Sequence, residues 1–284
     1  MSVLSGADRI FWEKNGYVVI PDVVPADNLR AVVDAIWAFL EVDGDNPEAW
    51  YRHAPRTEDR PSPISQAGMV EMYQHQSLWD NRQHPRLYEA FADVLATPNL
   101  WVSLDRVNMK PPVSDHHPEW DFGGMIHWDV DTSVERASFG VQGVLYLTDT
   151  AQDQGGFQCV PGFHNRFEEW VKTQTADRDP HHPDLDGLEV VSIPGKAGDL
   201  LIWHNLLAHG NGTNRSDKPR LAQYVTMSPA PQGQSDGRQQ RIASWREHRP
   251  TGGWPGDPRE WESKRSETAD LTELGRKLLG LDLW

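Results

Sequence analysis

The residues most able to do chemistry lie in one short stretch, Ile126-His127-Trp128-Asp129-Val130-Asp131. His127 and Asp129 are two positions apart. In a strand that spacing puts both side chains on one face, because the side-chain period is two. An imidazole and a carboxylate sharing a face are two of the three protein ligands of a two-histidine, one-carboxylate site. Such a site leaves the other coordination positions open and suits non-haem iron(II). Asp131 falls on the same face and is by position a rival ligand; it is expected either to orient the ligands by hydrogen bonding or to be a strand-end surface residue. Trp128 must point the other way and is expected to pack. A His-x-Asp pair is common by itself, so the reading depends on a third ligand elsewhere.

The stretch from Gly198 to Gly212 offers two histidines, His204 and His209. An arginine lies eleven residues after each: Arg215 after His204, Arg220 after His209. Spacing does not choose between them, but local pattern does. Arg220 opens a strand whose same-face neighbours are Ala222, Tyr224 and Thr226, so it can point into a barrel. Arg215 sits in the polar, turn-like run Asn214-Arg215-Ser216-Asp217-Lys218. His209 is followed by Gly210, where the backbone can take an unusual φ or approach a ligand closely. We therefore pair His209 with Arg220. An arginine deep in a barrel is costly unless an anion meets it. A planar guanidinium meets a carboxylate through two parallel hydrogen bonds. A dicarboxylate with one end on Arg220 and the other on the metal fits that arrangement.

The elements that must position these groups read as strands with helices around them. Helices are expected at Ala7 to Asn15, Pro25 to Leu40, Glu71 to Asp80, Pro85 to Leu95, Asn165 to Thr173 and Asp257 to Gly280. Strands are expected at Tyr17 to Ile20, Leu100 to Met109, Met125 to Asp131 and Phe139 to Thr148. Further ones fall at Gly155 to His164, Leu188 to Ile193, Asp199 to Trp203, Ala208 to Gly210 and Arg220 to Met227. About eight or nine short strands between Gly, Pro and Asn turns point to a jelly roll. The fold expected is mainly β with helical cladding, an α+β chain with no linker long enough to divide it. It reads as one domain over 1–284, with mostly helical cladding at 1–98, a jelly-roll core at 100–228 and a C-terminal loop and helix at 229–284. The strand at Phe139 to Thr148 carries Gln142, Tyr146 and Thr148 on one face, within reach of the far carboxylate of a dicarboxylate.

His127-x-Asp129, the stretch from Asp199 to Gly212, and Asn214 with Pro219-Arg220 together resemble the phytanoyl-CoA dioxygenase family of iron(II)/2-oxoglutarate oxygenases. Gly16-Tyr17-Val18-Val19-Ile20-Pro21 and Gln158-Cys159-Val160-Pro161-Gly162-Phe163-His164 resemble it too, so the likeness runs from about residue 10 to about 228. It implies a double-stranded β-helix core, the cupin-like jelly roll. It also implies Fe(II) as the metal, 2-oxoglutarate and O2 as co-substrates, and succinate and CO2 as products, with oxidation of an unactivated C–H bond. By the same likeness His209 is the distal ligand, Arg220 binds the C5 carboxylate, and Asn108 contacts the C1 end. Asn211 stands where the family commonly has serine, at a position that helps bind 2-oxoglutarate. Halogenating relatives lack the carboxylate ligand, so Asp129 favours hydroxylation, with desaturation or ring formation as other outcomes.

Composition narrows the remaining classes. The formal net charge is −15 over 284 residues, which argues against nucleic acid, where a basic face dominates affinity. No run of about 18 apolar residues occurs, and the first residues hold no apolar leader core. With Cys159 the only cysteine, a cytoplasmic protein acting on a small molecule, away from membranes, is expected. Oligomeric state is not readable. The loops 43–68, 111–122 and 228–257 are expected to line the substrate pocket, with 111–122 as a lid. Trp120 is a candidate cleft wall and Trp203 a core residue. His116, His117, His164, His181, His182 and His204 are expected not to bind metal. Two other readings stand beside this one: a cupin-like metalloenzyme that does not use 2-oxoglutarate, and a non-catalytic jelly-roll binding module.

Overall fold

The segment Leu200–His204 shows how the core is made. Leu200 and Ile202 face one apolar cluster, Leu201 and Trp203 face another, and all four are buried. A strand that is apolar on both faces has to be covered twice. In the structure, a computed structural model that describes residues 2–133, 139–231, 233 and 236–284, this strand lies inside a sheet of six.

The strands are β1 (Tyr17–Ile20), β2 (Met69–Val70), β3 (Leu100–Val102), β4 (Val107–Lys110), β5 (Val141–Tyr146), β6 (Phe157–Cys159), β7 (Val191–Ser192), β8 (Leu200–His204), β9 (His209–Asn211), β10 (Arg220–Tyr224) and β11 (Met227–Pro229). The α-helices are α1 (Gly6–Asn15), α2 (Ala26–Leu40), α3 (Gln76–Arg82), α4 (Pro85–Leu95), α5 (Phe163–Thr173), α6 (Asp236–Arg246), α7 (Trp261–Arg265) and α8 (Glu273–Leu279). The large sheet runs β1-β8-β5-β10-β4-β2, every pair antiparallel. A second sheet runs β7-β6-β9, and β11 pairs with β3.

Strand alternation separates two cores. Leu145, Ile202 and Leu221 face outward and join Phe39, Trp79 and Phe91 of the N-terminal helices. Val144, Leu201 and Ala222 face inward and join Phe157 and Cys159 of β6. The small sheet therefore covers the inner face of the large one, and helices cover the outer face, as expected of a jelly roll with helical cladding. On β10, Arg220 and Tyr224 share the face of Ala222 and so point between the sheets. Helix α1 carries a Ser5/Asp8 capping box and ends at Gly16 with φ 75°, the left-handed geometry glycine takes most readily. No helix among the described residues is long and apolar enough to cross a membrane.

Several expectations change. The stretch Leu100 to Met109 is two strands, β3 and β4, in different sheets. The chain breaks between them where Asp105 Oδ1 accepts the Arg106 backbone N–H at 2.7 Å, a local bond that competes with the ladder. Arg220 to Met227 likewise divides into β10 and β11. Met125 to Asp131 is not a strand: only His127 makes a bridge, to His209. The helix expected at Glu71 begins only at Gln76, after the two-residue strand β2. The C-terminal region holds α6 inside a stretch expected to be loop, of which residues 232, 234 and 235 lie outside the described set. The long helix expected from Asp257 to Gly280 is α7 and α8, separated by an extended segment.

Candidate metal centre

His209 sits on β9, at the edge of the small sheet, and is almost fully buried. Beside it runs the irregular segment that carries His127 and Asp129. That segment is held from both edges. His127 N–H donates to His209 O at 2.8 Å and His209 N–H to His127 O at 3.1 Å. On the other edge Trp128 N–H donates to His181 O at 2.8 Å, and His181 Nδ1 donates to Trp128 O at 3.2 Å. Gly210 makes the first contact feasible. A Cβ there would lie 1.9 Å from Met125 O, so the close approach is by the chain's own backbone rather than a ligand. Trp128 points away, buried against Phe163, Phe167 and Trp170, with its indole N–H on Leu206 O.

One ligand atom from each of His127, Asp129 and His209 lies within 4.8 Å of the others. Asp129 Oδ1 is 3.4 Å from His127 Nε2, and Oδ2 is 3.3 Å from His209 Nε2. His209 Nδ1 donates to Leu207 O at 2.8 Å and His127 Nδ1 to Met125 O at 3.3 Å. A carbonyl can only accept, so each ring carries a proton on Nδ1 and turns Nε2 to the carboxylate, where Nε2 donates to Asp129 in the protonated imidazolium and offers a lone pair to a metal in the neutral ring. This is the tautomer a metal needs. Burial alone would raise the Asp129 carboxyl, but hydrogen bonds with His127, His209 and Gln142 outweigh it and hold it well below the usual carboxylate range. Burial lowers His127, and its bond to Asp129 outweighs that and raises it.

Gln142 was expected near the far carboxylate but belongs here: its amide donates to Asp129 Oδ2 at 2.6 Å and accepts from Trp203 Nε1 at 3.2 Å. Trp203 is thus cavity wall and anchor as well as core. Asp131 does not orient the ligands. Its Oδ1 caps Ser133, accepting from the backbone N–H and the hydroxyl, and it is exposed.

A cavity of about 560 Å³ opens on the three ligands and is walled by both sheets and by loops. A larger concavity, about 970 Å³, lies around Asp149, Lys196 and Lys218 and contains none of them; the three candidate ligands line the smaller, deeper one. Asn211 and Tyr224 line the deeper cavity. Asn211 Nδ2 donates to the Tyr224 hydroxyl at 2.8 Å, and Arg220 Nη1 donates to the same oxygen at 3.3 Å. Arg220 is fully buried, and its Nε and Nη2 have no partner. Directly across the ladder from Arg220 stands Lys110, also fully buried, with Nζ on Gly212 O at 2.7 Å. Burial, helped by the neighbouring Arg220, pulls the Lys110 ammonium down to about 7. The sequence pattern placed Lys110 on the Asn108 face but did not mark it as a site residue.

The other anchors are differently placed. Asn108 is buried with Nδ2 on Ala67 O and Oδ1 unpartnered. Tyr146 donates its hydroxyl to Ile193 O at 2.8 Å. Thr148 Oγ1 is buried without a partner. None of the three lines the cavity.

The outer end of the cavity was not legible as a site. Asp105 and Arg106, in the turn between β3 and β4, line it with Phe122, Met125 and Trp254. Arg106 lies 3.8 Å under the Trp254 ring and donates to the buried Glu71 at 3.1 Å. Glu71 also accepts from Arg56 at 2.7 Å and from the Tyr73 hydroxyl. Of the loops expected to form this wall, 43–68 and 111–122 are fastened together: Tyr51 stacks on His117 at 3.7 Å and donates to Pro112 O. Trp120 is buried in the outer core and is not a cleft wall.

Residues 12–222, about three-quarters of the chain, match the phytanoyl-CoA dioxygenase (PhyH) family. A Dictyostelium discoideum protein bearing the provisional name phytanoyl-CoA dioxygenase is 24% identical over 263 residues, covering 77% of this chain and 74% of that protein. The fold is shared with the epimerase SnoN, solved with Fe3+, α-ketoglutarate and nogalamycin RO (TM-score 0.56, 19% identity, 94% of each chain). It is shared also with the α-ketoglutarate-dependent carbocyclase SnoK of nogalamycin biosynthesis (TM-score 0.54, 22% identity, 90% of this chain and 93% of that one).

Proposed function

The chain belongs to the phytanoyl-CoA dioxygenase family of iron(II)- and 2-oxoglutarate-dependent oxygenases, and from that premise we propose that His127, Asp129 and His209 hold the iron and that Arg220, with Lys110 beside it, anchors 2-oxoglutarate. When bound, iron(II), 2-oxoglutarate and O2 supply the oxidation: one oxygen atom enters a C–H bond of the substrate, the other enters succinate, and CO2 leaves. The protein's own part is binding and orientation. Gln142, held by Trp203, fixes the Asp129 carboxylate, and the two backbone carbonyls fix the imidazoles.

The observation that carries this reading is the pair of buried cations. Arg220 and Lys110 face each other across one ladder with two guanidinium nitrogens, Nε and Nη2, unpartnered among the described residues. Buried charge without a counter-charge is strongly unfavourable. A carboxylate supplied by a co-substrate answers it, and Tyr224 and Asn211 carry the hydrogen-bond network from Arg220 to the cavity wall. Asn108 Oδ1 and Thr148 Oγ1 are buried with no hydrogen-bond partner among the described residues, and the Tyr146 hydroxyl is held by Ile193 O; we keep the three as supporting groups. Asp129 favours hydroxylation over halogenation.

The substrate is a small organic molecule rather than a coenzyme A thioester. The cavity size suits a small ligand, and Arg106 is the only Lys or Arg among the described residues lining it, which suits no polyphosphate. The wall draws on residues from Ala67 to Trp254, which supports one domain over 1–284. The acidic surface and the lone buried cysteine support a cytoplasmic protein that does not bind nucleic acid.

The test is anaerobic addition of iron(II) and 2-oxoglutarate. The wild type should develop the visible absorption band that the family leads one to expect, and His127→Ala should not, with unchanged far-UV circular dichroism. A band of equal strength in His127→Ala would remove the ligand assignment. No band in the wild type would favour the cupin-like metalloenzyme or the binding module.

A further inference from the structure

The outer end of the cavity is a charge-balanced polar site built into an otherwise apolar wall. Its members come from five places in the chain. Glu71 is fully buried and takes hydrogen bonds from Arg56, Arg106 and Tyr73. Arg106 is 8% exposed, and its Nε is buried 3.6 Å from Asp105 Oδ1, without a hydrogen bond. Asp105 keeps 19% of its side-chain surface open where it lines the cavity. Behind them Arg82 bonds the backbone carbonyls of Tyr73 and Asp105, and Glu262 binds the Tyr73 and Gln74 N–H groups at 2.6 and 2.7 Å.

With all six side chains ionised the formal charges cancel, Arg56, Arg82 and Arg106 against Glu71, Asp105 and Glu262; burial pushes the Glu262 carboxyl up to about 7, so the balance is complete above that pH. A lone anion on Arg106, or a lone cation on Asp105, would leave one charge uncompensated in a poorly solvated place. A ligand that brings both signs leaves the balance intact. Adjacent in sequence and both at the wall, Arg106 and Asp105 offer a donor and an acceptor a short distance apart: Arg106 Nη1 is on Glu71 and its Nε is buried, which leaves Nη2 for a ligand. Trp254 over Arg106, with Phe122 and Met125 further in, gives the rest of such a ligand a flat apolar surface on the way to the three candidate ligands. Resting on the function proposed above, we propose that the substrate is a zwitterion of the free amino-acid type, its carboxylate on Arg106, its ammonium on Asp105, and its apolar part directed at the metal centre.

The probes are free amino acids with branched or aromatic side chains, each beside its methyl ester and its N-acetyl derivative. They are added anaerobically to protein loaded with iron(II) and 2-oxoglutarate. Binding is read by perturbation of the visible band and by saturation-transfer NMR, and turnover by succinate release in air. At least one free amino acid should bind about tenfold or more tightly than its ester and its N-acetyl form, since each derivative leaves a charged wall group unmatched. Asp105→Asn should remove the discrimination against the N-acetyl form. Arg106→Lys, which keeps the charge on Glu71 but loses Nη2, should narrow the discrimination against the ester. If the band forms but no free amino acid perturbs it, or the blocked forms bind equally well, the zwitterion assignment fails while the oxygenase reading stands. If the band never forms, it is the oxygenase reading that fails, and NMR binding of the free forms alone still decides the zwitterion question.

Discussion

The two ends of the cavity are built differently. At the inner end most of the functional groups stand on strands: His209 on β9, Gln142 on β5, Arg220 and Tyr224 on β10, Lys110 on β4; His127 and Asp129 stand on an irregular segment bridged to β9 at His209. Each is fixed by ladder hydrogen bonds on both sides or by a neighbour that is. At the outer end they stand on connections: Asp105 and Arg106 in a turn, Phe122 and Met125 in the irregular segment before the first ligand, Trp254 in the C-terminal loop. A strand residue cannot shift by one position without turning its side chain to the other face, whereas a loop can change length and residues at little cost to the core. On the function proposed above, the inner end is the part that strand geometry holds rigidly, and the outer end is the part where substrate contacts can vary.

Substitutions should separate the two ends. The largest effect expected is at Arg220. Arg220→Ala removes one partner of a buried charge pair and should raise the 2-oxoglutarate requirement by on the order of a hundredfold, measured as apparent KM for 2-oxoglutarate. Phe122→Ala, at the outer end, should leave that KM within about twofold. A similar rise in both would dissolve the distinction.

Next comes Gln142→Leu, which removes the amide that holds Asp129 while keeping the volume. Loss of a partner of this kind costs roughly 10–100-fold in metal affinity or activity. Iron titration followed by succinate release should show it, with 2-oxoglutarate affinity less affected than iron affinity. Unchanged iron affinity would make Gln142 a packing residue only.

The smallest effect is a pH dependence at Lys110. Burial and the neighbouring Arg220 bring its ammonium down to about 7, so it is charged below that pH and loses its charge above it. A carboxylate binds the charged form better. Apparent 2-oxoglutarate affinity should therefore fall as pH rises past about 7, by at most about tenfold per pH unit. Lys110→Met should flatten that slope and sit near the wild type's high-pH value. A slope that survives the substitution belongs to another group.

How legible the site was in the sequence depended on whether a residue declares itself locally. His127 and Asp129 were identifiable from residue type and spacing, and His209 from the strand pattern around its arginine; the structure brings the candidate ligand atoms of the three together. Arg220 was chosen over Arg215 because its strand alternates, and that alternation turns it inward. Trp128 was expected to point away from the ligands, and does. The facing of Asp131 was misjudged because the strand assumed at Met125 to Asp131 does not continue past His127. Two-residue periodicity means nothing where the backbone bends to cap Ser133.

The sequence by itself determined the ligand types, the inward arginine and the alternation that makes a two-faced sheet, because each is written in residues a few positions apart. The tertiary structure alone decided what crosses the chain. It set Lys110 opposite Arg220, 110 residues on. It brought Gln142 to Asp129, pinned the His127-Trp128 segment between His209 and His181, and gathered Glu71, Asp105, Arg106 and Trp254 at one mouth. Those pairings follow from which strand lies beside which and in what register. That is settled by burying two apolar faces at once, and no local pattern contains it.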